Sequence, residues 1–237
     1  MSESNKRNFI VHGSILAIAG ILVRIIGMLY RIPVVNIIGS EGNGIYGAAF
    51  NIYNIMLVLS SYGLPMAVSK LVSARFTKKR YKSAAKVLRC SLMVAVCTGG
   101  IAALLVFFGA SFIENVIYGG GLPGLAIPLR ILAPTIFLVA ILGVTRGFFQ
   151  GQSTMIPTAV SQILEQIVNA IVSIAAGYGM MKAFASSPDV AAYGAAGSTL
   201  GTAMGALTAV LFMGFLYAVY TPTFNRLKRK DRHTENQ

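Results

Sequence analysis

Long apolar runs alternate along the chain with short polar, glycine-rich or basic breaks. A hydrocarbon core of about 30 Å takes about 20 helical residues to cross, and six runs reach that length. They cover residues 9–35, 45–69, 83–108, 125–149, 157–181 and 193–220. The pattern predicts an all-α fold, a polytopic membrane helix bundle with six transmembrane helices. The first run continues past Arg24 to Val35 with no small-residue cleavage pattern ahead of a soluble domain. It therefore reads as a transmembrane helix and not as a cleaved leader.

The interruptions inside the runs carry the candidate chemistry. Run five places Gln162, Glu165, Gln166 and Asn169 at i, i+3, i+4 and i+7, so all four share one helical face. A carboxylate and three carboxamides are costly against lipid, and such a face calls for a partner or a wet cavity. Run one carries Arg24 between Gly20 and Gly27, and Arg31 one heptad further on. Helix entry near residue 9 or 10 puts Arg24 about 20 Å into the membrane, past its midplane. A charge that deep should face a bundle interior or a cavity, whereas Arg31 reads as an interfacial anchor on the same face. Arg24 and a coupling cation are both open as partners for Glu165.

Run two shows Asn51, Asn54 and Ser61 on roughly one side, and Gly63 and Pro65 near its end. A proline within a helix removes a backbone hydrogen bond, so these two residues mark a kink or a hinge. The glycine-rich stretch 36–47 reads as an ordinary outer turn, lacking the Gly-Lys-Ser/Thr ending of a phosphate cradle. The stretch 146–151, RGFFQG, reads as a cationic, glycine-broken turn between runs four and five. Pro157 then opens run five at a favoured first-turn position. Run six carries Gly197, Gly201 and Gly205 at four-residue spacing, a face for close helix packing. Arg130 lies near the outer end of run four as an anchor or outer-cavity cation.

Charge orients the bundle. The 237 residues are 55% hydrophobic and only 11% charged, with a formal net charge of +13. Sixteen of the 20 basic residues fall on one side: Lys6 and Arg7, the cluster from Lys70 to Arg89, Arg146, and the segment from Arg226 to Arg232. The positive-inside rule then sets both termini in the cytoplasm. The same bias explains the basic character without nucleic acid. Anionic membrane lipids are partners for the 75–89 cluster, although its role as a topology determinant suffices. Residues 1–221 read as one six-helix lobe and 222–237 as a basic cytoplasmic linker.

No enzymatic constellation appears. The two histidines, His12 and His233, sit near opposite ends of the chain, and no paired carboxylates share a segment. Cys90 and Cys97 lie in one run, read as small buried hydrophobes, and one helix does not offer disulfide geometry. No metal site and no cofactor are expected beyond a coupling cation of unspecified identity.

The Arg146, Gly147, Phe149, Gln150, Gly151 turn, followed by Pro157-Thr158-Ala159 and Ser161-Gln162 through Glu165-Gln166, resembles the corresponding turn of stage V sporulation protein B-like polysaccharide transporters. These belong to the multidrug/oligosaccharidyl-lipid/polysaccharide (MOP) flippase superfamily. Arg24, Gly27 and Arg31 ahead of Gly39 are similar to helix 1 of its lipid II flippase branch, and Gly63 to Leu71 also fits. The resemblance covers the first of the family's two lobes. It implies a membrane transporter, not an enzyme, that flips a polyprenyl-diphosphate-linked oligosaccharide or a peptidoglycan precursor across the cytoplasmic membrane. It implies further that Arg24, and less directly Arg31, face a central cavity and engage the substrate diphosphate. Asn51, Gln162, Glu165, Gln166 and Asn169 would line that cavity. A second lobe, from a missing half or a homo-oligomer, would complete the transporter. The alternatives are a cation-coupled multidrug exporter of the same superfamily, a non-transporting membrane scaffold, or an inactive fragment.

Overall fold

The computed structural model describes residues 3–231, with side chains from residue 14 onward. Lys6, Arg7 and His12 have side chains outside that range, and Arg232 and His233 lie beyond it altogether. The elements are α1 (Glu3–Ser60), α2 (Leu64–Thr77), α3 (Tyr81–Phe112) continued by a π-helical turn (Ile113–Ile117), α4 (Ala126–Gly151), α5 (Ile156–Ala183) and α6 (Val190–Lys230). All regular structure among the described residues is helical. Five helical stretches among the described residues are long and apolar enough to cross a membrane, the first of them the 64 residues Ser14–Thr77.

That first stretch is far too long for one crossing, since 64 helical residues reach about 96 Å. It bends at Gly39, whose φ of 70° and ψ of −175° are not helical. The bend is a reversal. The Arg31 guanidinium lies 5.8 Å from the centre of the Tyr46 ring, whereas 15 residues of straight helix would separate them by about 22 Å. α1 is therefore a helical hairpin with arms 3–38 and 40–60. The stretch 36–47 is not an open outer turn. It stays helical apart from Gly39, where the absence of a Cβ admits the positive φ.

The second arm stops at Ser60, and a turn over residues 61–63 leads into α2. The apolar run from 45 to 69 is thus two helices and not one. Gly63 caps α2, and Pro65 occupies its first turn. An N–H is unsatisfied there in any helix, so the proline starts α2 and does not kink an existing helix. Its ring fits a groove on α4. A Cβ at Gly143 would lie 3.0 Å from Pro65 Cγ, and one at Gly147 would lie 2.5 Å from the Pro65 carbonyl oxygen. At Gly151 it would meet the Ser69 carbonyl oxygen and Val72 Cβ, both at 2.7 Å. Three glycines at four-residue spacing thus give α4 a smooth face for α2. The stretch 146–151 is accordingly not a turn. α4 stays helical through Gly151, and the turn follows at 152–155.

A second glycine seam joins α5 to α6. A Cβ at Gly197 would run into the Ala176 carbonyl, and one at Gly201 into Ser173 Oγ. One at Gly205 would sit 2.6 Å from the Glu165 carbonyl oxygen. Residues 222–230, which the charge pattern assigns to a linker, continue α6. Phe224 is fully buried among Phe76, Phe148 and Tyr220. The Asp231 carboxylate accepts the Lys82 N–H at 2.8 Å, at the start of α3. The ends of α2, α3 and α6 are thereby tied together. At the other end of α3, the Glu114 carboxylate accepts the N–H groups of Gly124 and Ala126 at 3.0 and 2.7 Å, satisfying the start of α4. Cys90 and Cys97, expected inside, are both exposed. Their turns of α3 present them to the outside of the bundle, where a thiol is tolerated as an apolar group.

Candidate functional site

The polar face of run five divides into three environments along α5. Nearest the helix start, the Arg146 guanidinium donates to the Glu165 carboxylate at 2.7 Å and to Ser161 Oγ at 2.9 Å. Ser161 in turn donates to the Thr158 carbonyl at 2.8 Å. The two charged side chains are 15% and 26% exposed, so the pair is largely but not fully desolvated. α4 and α5 meet only sparsely, and this ion pair bridges the space between them. Glu165 thus takes Arg146 as partner, and not Arg24. Helix α4 places Arg146 about 8 Å before its end instead of in a solvated turn. Tyr53, on the second arm of α1, is within electrostatic range of Glu165.

The middle environment is the contact of α5 with the first arm of α1. A Cβ at Gly27 would stand 3.3 Å from Gln166 Nε2, so the small residue lets the amide lie against α1. Gln162, one turn earlier, is partly buried. The third environment is closed. Asn169 is 7% exposed. Its amide donates to Tyr30 Oη at 3.2 Å, and its oxygen is within reach of Ser173 Oγ at 2.9 Å and Thr202 Oγ1 at 3.4 Å. Ser173 Oγ also lies 2.8 Å from the Ser198 carbonyl oxygen, so its single hydroxyl hydrogen serves one acceptor at a time. Asn169 is therefore a knot between α1, α5 and α6, with its bonding capacity used inside the protein.

The helix 1 arginines sit differently. Arg24 is exposed, and among the described residues it meets neither a carboxylate nor a hydrogen-bond partner. Arg31 is exposed and covers the Tyr46 ring, a cation–π contact. The hairpin register that sets residue 31 beside residue 46 brings residue 24 level with residues 51–54. Asn51 and Asn54 are exposed there, and Tyr53 is buried. The register therefore sets Arg24 level with Asn51 and Tyr53 on α1, while Gln166 lies against Gly27 and the Arg146–Glu165 pair links α4 to α5. Arg130 stands apart, exposed and donating to Ser111 Oγ at 2.9 Å. Gly63, Pro65, Gly197, Gly201 and Gly205 belong to helix ends and seams outside this site.

Sequence reasoning overlooked Arg146, Tyr30 and Tyr53 as members of the site. Arg146 was legible in principle, because its spacing from Gly143 and Gly151 fits one uninterrupted helix. Tyr30 stands three residues from Gly27, on the face that meets α5.

The model of the polysaccharide biosynthesis protein family matches residues 10–234, nearly the whole chain. The chain belongs to that family. It is 34% identical to the lipid II flippase MurJ of Bacillus subtilis over 72% of its own length and 32% of that protein's. It is 30% identical to stage V sporulation protein B of the same organism, over 88% of its length and 39% of the relative's. A MOP superfamily transporter from Pyrococcus furiosus shares the fold, with a TM-score of 0.69 over 88% of this chain and 44% of that one. At 17% identity that likeness speaks for architecture alone. The chain spans about a third to two-fifths of the length of the curated relatives it matches. Of these two relatives, one is named as a lipid II flippase and the other as a sporulation protein.

Proposed function

We propose that the chain forms one lobe of a flippase in the cytoplasmic membrane. Its cargo is a saccharide or peptidoglycan precursor carried on a polyprenyl diphosphate. In this reading the two arms of α1, the second extended by α2, together with α3, α4, α5 and α6, make six crossings with both termini inside. The observation that carries the proposal is Arg24. Among the described residues it is exposed and meets neither a carboxylate nor a hydrogen-bond partner, at a depth where a charge is costly against lipid, and the hairpin register sets it level with Asn51 and Tyr53. Its forked guanidinium suits a diphosphate and disfavours a cationic drug. The exposed face of α1 then lines a cavity closed by a second lobe. Transport proceeds by rocking of the two lobes about that site. An ion gradient or the membrane potential supplies the drive, and any coupling cation must compete with Arg146 if it is to use Glu165.

Complementation tests this directly. The chain is expressed with a second lobe in cells depleted of their own lipid-precursor flippase, as wild type, Arg24→Ala and Arg24→Lys. Growth should be lost in Arg24→Ala and partly kept in Arg24→Lys, at equal protein level in the membrane. A scaffold would be indifferent to both changes, and equal rescue by Arg24→Ala sinks the diphosphate role.

A further inference from the structure

α3 carries an exposed stripe that changes character along its length. Lys82, Lys86 and Arg89 recur at i, i+4 and i+7, and all three are exposed. The same stripe continues through Met93, Val96, Leu104 and Phe107, exposed by 56%, 46%, 58% and 44%. These positions stay within about 40° of one line on a helix of 3.6 residues per turn. The cationic part is about 10 Å long and the apolar part about 21 Å. One leaflet of hydrocarbon is about 15 Å thick, so the apolar part covers it with a margin.

More positive charge collects around the cationic end. The Asp231–Lys82 contact and the Phe76–Phe224 stack hold the end of α6 there, bringing exposed Arg226, Arg229 and Lys230 to the same corner. Asp231 itself is buried. The α2–α3 turn adds Lys79, which has φ 56°. Its N–H bonds the Phe76 carbonyl, and the next N–H, of Arg80, bonds the Arg75 carbonyl. That is a Schellman closure, whose left-handed position usually holds glycine. Lys79 therefore places a charge at the corner in a backbone conformation that glycine adopts more readily.

We infer that this stripe is a binding site for an anionic phospholipid, with the headgroup phosphate on Lys82, Lys86 and Arg89 and one acyl chain along Met93 to Phe107. A soluble acidic partner matches only the basic half, and an uncharged lipid only the apolar half. α3 packs mainly on α4, whereas Arg24 is exposed on α1 and Gln166 lies against Gly27 of α1, so this is a second surface. The inference rests on membrane embedding and not on the flippase reading.

Purified protein in detergent separates binding from topology, because a micelle has no inside. Native mass spectrometry would count retained phosphatidylglycerol, phosphatidylcholine and undecaprenyl diphosphate. Each cation near an anionic headgroup contributes about fivefold. Lys82→Gln/Lys86→Gln/Arg89→Gln should therefore lower phosphatidylglycerol retention more than about tenfold, with phosphatidylcholine retention unchanged. Lys86→Gln, an exposed single change, should lower it about fivefold and serves if the triple variant does not fold. Phosphatidylglycerol retention unchanged in the variants overturns the site. So does stronger retention of undecaprenyl diphosphate that the same variants abolish, which would assign the stripe to the cargo's path.

Discussion

Helix α4 and the first arm of α1 are almost equally apolar, yet they are opposite in packing. Half of the most apolar 18 residues of α4 are buried within the bundle, against 6% for the most apolar 18 residues of Ser14–Thr77. The difference lies in side-chain size and not in hydropathy. α4 presents Gly143, Gly147 and Gly151 to α2 and Ala140 to Gly99 of α3, so neighbouring backbones close onto it. The first arm of α1 presents Ile21, Leu22, Ile25, Met28 and Leu29 outward, with Arg24 among them. In lipid, small residues decide which helix becomes the centre. The large apolar side chains mark what this lobe leaves for something else to cover.

The comparison breaks most readily at its glycines. Gly147→Leu should cost more than the roughly 1–3 kcal/mol usual for overpacking, because the obstacle is the Pro65 carbonyl and Val68 Cβ and not a flexible side-chain tip. Gly20→Leu, with nothing within 4 Å, should stay within about 0.5 kcal/mol. Thermal unfolding of the two variants in detergent measures the contrast. Equal losses would mean that α1 is packed as tightly as α4.

A smaller effect is expected where α4 meets α5. Glu165→Gln leaves Arg146 without its charge partner. Breaking a fully buried pair costs about 3–5 kcal/mol. With side chains 15% and 26% exposed, about 1–3 kcal/mol is expected, since partial hydration compensates. The double variant Arg146→Gln/Glu165→Gln should cost less than the two single losses combined. Strict additivity in that cycle would show that the 2.7 Å contact carries no coupling.

The same contrast explains what the sequence could reveal. Hydrophobic length gave the helical class, and the four-residue spacing of Gly197, Gly201 and Gly205 pointed to the seam that the α5–α6 contact displays. The spacing of Gly143, Gly147 and Gly151 was equally available, but the neighbouring Arg146 and Gln150 made the segment look like a solvated turn. A charged residue in a membrane helix is recognisable only when its partner is known, and Glu165 lies 19 residues away on the next helix. The α1 reversal at Gly39 was hidden because the helix resumes within one residue. Periodicity over residues 36–47 therefore could not distinguish a loop from a sharp bend. Exposure was the least legible property. Arg24, Cys90, Cys97 and Asn169 all stand in apolar runs, and only tertiary packing separates the three exposed residues from the buried asparagine.

Asn169 sharpens the comparison from the other direction, because it attaches the loosely packed helix to the tightly packed ones. Its amide reaches Tyr30 on α1, and its oxygen faces Ser173 on α5 and Thr202 on α6. Interhelical hydrogen bonds of this kind contribute about 1 kcal/mol or less each in membranes, so Asn169→Ala should lower global stability by only about that much. Its local effect should be uneven. Amide hydrogen exchange over residues 20–35 should quicken several-fold, since many of their side chains point out of the bundle. Exchange over residues 130–150 of α4 should stay as in the wild type. Uniform acceleration across both segments would show that the first arm of α1 unfolds only with the whole bundle. An exposed Arg24 would then sit on a rigid wall. Selective loosening would give the Arg24 face a helix that moves independently of the α4 core.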